Sequence, residues 1–259
     1  MPEHIEIREL RSLEELRGAA RILQEIWGEP VLSVELLRAL STHGSEVLGA
    51  FVGDRMVGTQ VAFLGRTDGD LALHSHVTGV LPGRQHAGIG FALKLAQRSW
   101  ALDHGIETVT WTFDPLIARN AHFNLRKLGA RAERFFRDFY GDMPDAINAG
   151  ERSDRLEIVW RLLDPRAQAA ARGAATPVPD ESAQPLLESE EGRPVLREAS
   201  GPQLLIHVPS DYTTLRKRDP RLADDWREAV AGAFERAFKG GLLAVDFRRE
   251  DSSYLLDRP

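Results

Sequence analysis

Hydrophobic residues change their spacing several times along the chain, and each spacing predicts a secondary-structure element. Ile5 and Ile7 alternate with charged residues, which predicts a short strand. Ser12 and Glu15 have the spacing of a capping box, so we expect a helix to begin after Ser12. Two later apolar runs flank turn residues, which is the pattern of a β-hairpin. The predicted elements of this part are a strand at 5–7, helices at 13–26 and 34–40, and hairpin strands at 47–52 and 56–64.

The stretch 71–104 combines a strand pattern with a helical one. An apolar run from Leu71 to Leu81 ends in a Pro-Gly turn, and a helical pattern begins at Gly88-Ile89-Gly90 and ends before Gly105. The first N–H groups of a helix lack internal partners and carry positive potential, so a glycine-bearing helix start of this kind binds phosphate. The apolar face of this helix carries Ile89, Leu93, Ala96 and Trp100, with Lys94, Gln97 and Arg98 elsewhere.

Two widespread phosphate-binding motifs do not fit this glycine loop. The dinucleotide fingerprint needs a third glycine or an alanine where the chain has Leu93. The Walker motif needs Lys and then Ser or Thr after its second glycine, but Ile89 and Gly90 follow Gly88. The pattern that remains is Gln85-x-x-Gly88-x-Gly90 between a strand and a helix.

The remainder of the chain contains further strand and helix patterns. Val109, Trp111 and Phe113 alternate with threonines, which predicts a strand. From 164 to 194 the composition shifts to Ala, Pro, Glu and Arg without periodicity, which predicts a linker. Residues 195–259 are marginal as a separate domain, so we expect them to pack on 1–163 or on a second subunit, as in a homodimer. The other predicted elements are helices at 116–128 and 222–238 and strands at 135–140, 156–162, 203–208, 242–247 and 254–255.

Composition narrows the class of protein. The 259 residues have a net charge of −6, which disfavours nucleic acid and an anionic membrane as partners. There are no cysteines, so disulfides, thiolate zinc sites and a cysteine acyl-enzyme are excluded. The N-terminus lacks a signal-peptide pattern and no apolar run has membrane length, so we expect a cytoplasmic protein with no membrane contact.

The Gln85-x-x-Gly88-x-Gly90 pattern resembles the pyrophosphate loop of the Gcn5-related N-acetyltransferase (GNAT) superfamily. The order of predicted elements over 5–163 is similar to that of the superfamily. One group of predicted acetyltransferases within it is more similar still, and some of its members occur with N-succinylamino acid racemases and succinylate amino acids, including D-amino acids. The segments that carry this closer resemblance are 73–76, 111–116, 120–129, 140–141, 153–155 and the pair Trp226-Arg227.

The resemblance implies a mixed α/β fold with three parts. These are a GNAT acyl-CoA N-acyltransferase domain at 1–163, the linker at 164–194 and a small α/β extension at 195–259. It also implies acetyl-CoA or succinyl-CoA as the co-substrate, with the pantetheine arm on a strand that is bulged near Gly79. The expected cofactor-binding residues are Thr78, Gly79, Val80, Gln85, His86, Ala87, Gly88, Ile89, Gly90 and Asn120. Asn120 has an alternative role as a helix cap.

The catalytic groups depart from the superfamily pattern at one position. Many members place a tyrosine, the acid that protonates the departing thiolate, four residues before the helix-ending glycine, and the chain has Leu125 there. Tyr140 is a candidate replacement, although an edge-strand aromatic is an equally good interpretation. The thiolate can also leave unaided because its pKa is modest.

A pair of histidines supplies the candidate base. His74 and His76 are two apart, so they share a face of a regular strand, and imidazole titrates near neutral pH. A hydrogen-bonded, half-buried pair is the structural alternative. No third ligand is placed nearby, so we expect no metal. Arg155 is the candidate for binding a substrate carboxylate, because a guanidinium holds a carboxylate with two hydrogen bonds, and Arg119 is expected on the surface.

Two functions of different classes stay open. The first is a CoA-dependent N-acyltransferase that acts on a small-molecule amine, with an amino acid as the candidate acceptor. The second is a non-catalytic acyl-CoA-binding or sensing module that uses its C-terminal extension as an interaction surface. The histidine pair and Arg155 favour the first function, and Leu125 at the tyrosine position favours the second.

Overall fold

The computed structural model describes residues 4–85, 88–141, 143, 150–181 and 183–258. Two compact units make up the chain. Unit 1 comprises Met1–Trp111 with Asp142–Glu151, and unit 2 comprises Thr112–Gly141 with Arg152–Pro259. Among the described residues, no helix is both long and apolar enough to cross a bilayer.

Unit 1 is built on a sheet with helices on both faces. Its strands follow the order β1-β2-β3-β4-β5, and every neighbouring pair is antiparallel except β4 with β5, which are parallel. The last two residues of β5 belong to unit 2. The elements are β1 (Ile5–Glu9), α1 (Leu13–Trp27), α2 (Val34–Thr42), β2 (Glu46–Val52), β3 (Arg55–Thr67), β4 (Asp70–Val80), α3 (Ile89–Asp103) and β5 (Thr108–Phe113).

Separate apolar clusters cover the two faces of this sheet. On one face α1 and α2 bury Leu16, Leu23 and Leu37 against strand residues that include Val61 and Val77. On the other face α3 buries its aliphatic residues against β2 and β3. The cluster there consists of Leu48, Ala50, Val57, Ile89 and Leu93. Burial on each face is what holds the helices on the sheet, since apolar area removed from water stabilises by about 25 cal/mol per Å².

The local signals at the start of unit 1 are confirmed. The Ser12 side chain accepts from the Glu15 N–H, and the Glu15 carboxylate accepts from the Ser12 N–H, so the predicted capping box forms. α1 ends at Gly28, whose φ of 82° lies in the left-handed region. The predicted hairpin is β2 with β3, and its turn contains Gly53 at φ 57°.

Unit 2 contains a second run of hydrogen-bonded strands. Their order is β7-β6-β11-β12-β10-β8-β9, with only β10 and β8 parallel among the described pairs. Helix α7 buries Trp226 and Phe234, and the Phe234 ring stacks on Phe135 of β6 and meets Tyr254 of β12 edge-on. The elements are α4 (Ala118–Ala121), a π-helix (His122–Lys127), β6 (Arg131–Phe136), β7 (Arg155–Arg161), α5 (Pro165–Ala171), β8 (Gln184–Glu190), β9 (Arg193–Leu196), β10 (Leu204–His207), α6 (Tyr212–Arg218), α7 (Pro220–Lys239), β11 (Leu243–Arg248) and β12 (Ser253–Asp257).

Two predictions about unit 2 need correction. The helix expected at 116–128 begins only at Ala118, because the Leu116 N–H donates to the Asp114 carboxylate instead of joining a helical turn, and from His122 it continues as a π-helix. Gly129 is its stop as predicted, with φ 68°. The segment 164–194, where the sequence predicts a linker, contains α5 and β8, and the two units divide the chain elsewhere than at 163 and 195.

Candidate active site

The start of α3 differs from most other helix starts among the described residues in its cap. Gly88 is its N-cap, with φ 78° and ψ 1°, and no side chain caps the first turn. The caps of α1, α2, α5, α6 and α7 are all Ser or Asp side chains that accept a backbone N–H. The leading N–H groups of α3 therefore lack both an intrahelical acceptor and a side-chain cap within the described residues, which suits an external anion.

The glycines at this helix start have different physical roles. Gly88 adopts a left-handed conformation that costs other L-residues about 1–2 kcal/mol. Among the described residues, a Cβ at Gly88 or at Gly90 would have no neighbour within 4 Å, so space is open beside both positions. Gln85 is exposed just before it. The expected binding residues His86 and Ala87 lie outside the described residues.

Strand β4 pairs with β5 over a short ladder. The paired residues are Leu73 with Val109 and His74 with Thr110, whereas β4 itself runs on to Val80. The β3–β4 register shifts between Val61 and Ala62, because Val77 faces Val61 while Ser75 faces Ala62. His76 is thus the extra residue of a β-bulge.

The bulge expected at Gly79 is therefore three residues away from its predicted place. Gly79 pairs regularly with Thr59, and its role is steric. A Cβ at Gly79 would come within 2.7 Å of the Ile26 Cδ1 atom and 3.1 Å of the Trp27 ring, so a larger residue would require these α1 side chains to shift. The neighbouring Thr78 hydroxyl donates to Gln60 Oε1 at 2.9 Å, and Val80 is half-buried.

The two histidines of β4 lie next to Phe63 of β3. Their ring centroids are 6.3 Å apart, at 5.0 and 5.8 Å from the Phe63 ring. His74 Nδ1 lies 3.1 Å from the Thr110 hydroxyl. Burial is the main cause that lowers the pKa of His74 to about 4, with contributions from His76 and Lys94, and burial also lowers the pKa of the more exposed His76. Both rings are neutral at pH 7, and His76 is the better proton acceptor.

A buried polar cluster lies on the other side of β4, against α3. The sequence placed Lys94 and Gln97 away from the apolar face, but their exposed fractions are 4% and 0%. Lys94 donates to Ser75 and to Gln97, and Gln97 donates to Glu46, which begins β2. Sequence reasoning missed this cluster because its members come from three separate elements.

The candidate residues of unit 2 form their own group. Arg155 is 7% exposed, and its guanidinium lies 5.4 Å from the centroid of the Tyr140 ring. The Arg155 Nη1 donates to the Asp154 carbonyl, while the Asp154 carboxylate accepts from Arg152. Tyr140 is 42% exposed, and its hydroxyl lies 3.2 Å from that of Thr112. Unit 2 thus holds a cation and a phenol in contact.

The resemblance-based residues on the α4 segment are differently placed. Asn120 is half-buried inside α4, where its N–H donates to the Ile117 carbonyl, so it does not cap the helix. Arg119 is exposed as expected. Among the described residues, no group of three or more acidic or histidine side chains could hold a metal ion.

Comparisons with solved structures identify the fold of the chain. The ribosomal-protein-S18-alanine N-acetyltransferase from Escherichia coli matches 60% of this chain and 92% of its own, at 17% identity and a TM-score of 0.50. A chain of the NatC complex bound to Gag peptide and CoA matches over 61% of this chain and 99% of its own, at 14% identity and a TM-score of 0.50. No family model and no curated protein matches. The chain has the GNAT fold.

Leu125 is the residue found where the superfamily pattern has a tyrosine. This residue is completely buried within the π-helix that precedes Gly129, at the position where the resemblance places an acidic tyrosine. An aliphatic side chain there cannot donate a proton, and Asn124 beside it is also buried and is not an acid. The predicted GNAT fold is confirmed, and the departure at the tyrosine position is a property of this chain.

Proposed function

We propose that the protein is an acyl-CoA-dependent N-acyltransferase that moves an acetyl or a succinyl group to the amine of a small molecule, an amino acid of D or L configuration. The observation that carries this proposal is the uncapped start of α3, with Gly88 in the left-handed conformation, beside a β4 strand that outruns its pairing with β5. Superfamily resemblance assigns the CoA pyrophosphate to the first feature and the pantetheine arm to the second.

The reaction follows from the chemistry of a thioester. The neutral amine nitrogen attacks the carbonyl carbon, a C–N bond forms, and the carbonyl oxygen takes up negative charge. Backbone N–H groups of β4 near Thr78-Gly79-Val80 stabilise that oxyanion. The C–S bond then breaks, and CoA leaves as a thiolate, which needs no strong acid because thiols have a pKa of about 8.5.

The amine proton goes to a base in this scheme. His76 is our choice over His74, because deeper burial leaves His74 with a pKa of about 4 and hence with little affinity for a proton. The acceptor carboxylate pairs with Arg155, since a buried carboxylate needs a cation nearby. Tyr140 is the candidate that returns a proton to the thiolate.

The alternative is a non-catalytic acyl-CoA-binding module, and buried Leu125 at the tyrosine position favours it. Thiol release from acetyl-CoA and from succinyl-CoA, measured against a panel of D- and L-amino acids, separates the two. An amine-dependent release of CoA supports the enzyme. Tight binding of CoA without any release above the buffer rate would support the module, and absence of CoA binding would refute both.

A further inference from the structure

A single lysine side chain touches both strands just past the end of their ladder. The last described β4–β5 pair is His74 with Thr110, so Ser75 and Trp111 are the next residues on each strand. Lys94 Nζ lies 2.8 Å from the Ser75 hydroxyl and 3.9 Å from the centroid of the Trp111 ring. The ammonium of α3 thus gives each of these two side chains a partner other than the opposite strand.

The same ammonium is held from behind by a chain of buried amides. Lys94 donates to Gln97 Oε1 at 3.0 Å, and Gln97 Nε2 donates to Glu46 Oε2 at 2.5 Å. The other Glu46 oxygen accepts from Gln60 Nε2 at 3.4 Å, and Gln60 Oε1 accepts from Thr78 at 2.9 Å. One chain of hydrogen bonds therefore runs from Ser75, in the middle of β4 where the ladder ends, to Thr78 near the end of the strand.

Burying this chain of polar and charged side chains costs free energy that an apolar core would not cost. Lys94 and Glu46 are 4% and 0% exposed, and fully buried lysine and glutamate are rare because desolvation of each charge costs several kcal/mol. A well-packed apolar set of similar volume is often as stable as a buried ion pair. The polar cluster therefore points to positioning rather than to stability.

We propose that Lys94 is a strut that stops the β4–β5 ladder at His74 and so positions β4 for acyl-CoA. This rests on the proposed function, because the strand it positions is the one assigned to the pantetheine arm. Without the ammonium, Ser75 and Trp111 lose their common partner, and the parallel ladder can extend by a further pair. Each added pair would bring the ladder closer to Thr78-Gly79-Val80, the part of β4 that we assign to the cofactor, and would shorten the unpaired stretch of strand that leads to it.

The charges around Lys94 predict a spectroscopic signature. Burial lowers the pKa of Lys94 to about 7, opposed by the Glu46 carboxylate, and burial raises the pKa of Glu46 to about 7. Glu9 of β1 also raises the pKa of Glu46, and Lys94 in turn lowers the pKa of the nearby His74. The cation–π contact with Trp111 is lost as pH rises through about 7, since only the protonated amine is attracted to the ring face.

The test compares Lys94→Met with Lys239→Met, which makes the same change at an exposed lysine of α7. Calorimetry with CoA should give a dissociation constant at least about tenfold weaker for Lys94→Met and one within about twofold of the wild type for Lys239→Met. Hydrogen exchange should become slower for the amides around Ser75 and Trp111 in Lys94→Met alone. The emission difference between the wild type and Trp111→Phe should change near pH 7.

The outcomes separate the strut from the proposed function. Failure of the wild type to bind CoA overturns the proposed function. Hydrogen exchange in Lys94→Met still decides in that case whether Lys94 limits the ladder. Unchanged CoA affinity and unchanged exchange in Lys94→Met overturn the strut. If Lys94→Met does not fold, the double variant with Glu46→Gln removes both buried charges and takes its place. If that variant also fails, Ser75→Ala, which removes one of the two side chains that Lys94 contacts, takes its place, and unchanged hydrogen exchange around Trp111 overturns the strut.

Discussion

Replacing Gly88 tests the assignment of the CoA pyrophosphate to the start of α3. Two variants share one backbone effect, because any side chain at φ 78° costs about 1–2 kcal/mol, and neither Cβ meets a neighbour within 4 Å. Gly88→Ala adds that strain alone. Gly88→Glu adds the strain and a carboxylate at the place proposed for phosphate.

The magnitude follows from Coulomb's law. Two unit charges about 6 Å apart repel by about 3 kcal/mol at an effective dielectric constant of about 20. Side-chain mobility and salt reduce this to roughly half, which corresponds to a CoA dissociation constant about tenfold weaker for Gly88→Glu than for Gly88→Ala. The same carboxylate sits at the positive end of α3, so it should stabilise the folded protein by about 0.3–1 kcal/mol relative to alanine.

The two expected effects have opposite signs, which makes the comparison decisive. Calorimetry with CoA gives the affinities, and denaturant unfolding gives the stabilities of both variants. A general loss of folding would lower both quantities together. Equal CoA affinity in folded Gly88→Ala and Gly88→Glu would refute the placement of the pyrophosphate at this helix start.

Three further predictions address the base, the acceptor and the C-terminal region. The lowered pKa of His76 keeps its ring neutral until the pH falls below the ordinary value of about 6.5, so kcat/KM should fall on the acid side below that pH. His76→Ala should remove this acid limb of the pH profile, and His74→Ala should keep it. Identical pH profiles for all three proteins would make the histidine pair structural. Arg155→Ala should raise the acceptor KM strongly and Arg155→Lys should recover only part of it, with the acyl-CoA KM nearly unchanged; an effect on acyl-CoA alone would move Arg155 to the donor. A chain that ends at Leu163 should lose stability or aggregate in size-exclusion chromatography, because it loses the Asp246 carboxylate that pairs with Arg126, and a monodisperse, fully active product would contradict this.

The elements of unit 1 follow directly from sequence patterns. Capping at Ser12, the turn at Gly53 and the glycine start of α3 all depend on neighbours within a few residues, so a local pattern contains the whole cause. The order strand, glycine loop, helix was enough to predict the GNAT fold and the left-handed glycine at the start of α3.

Features that depend on distant pairing were not predictable in this way. The bulge at His76 exists because β3 and β4 change register at Val61, and nothing within 70–80 alone specifies that shift. Strand β8 buries only the adjacent pair Leu186 and Leu187 and therefore shows no alternation, which is why 164–194 resembled a linker.

The buried polar cluster left a signal in the sequence, although not a periodic one. Glu46 begins an apolar run, Gln60 interrupts the next, and Ser75 interrupts a third, so three strand patterns each contain a polar residue where an aliphatic one would be expected. A lone buried polar group costs about 1–3 kcal/mol unless it finds a partner. Polar interruptions in neighbouring strands must therefore satisfy one another or a helix above them, and Lys94 and Gln97 supply that helix. Such interruptions in adjacent predicted strands, matched by a Lys and a Gln three residues apart on the following helix, form a sequence pattern that predicts a shared buried cluster.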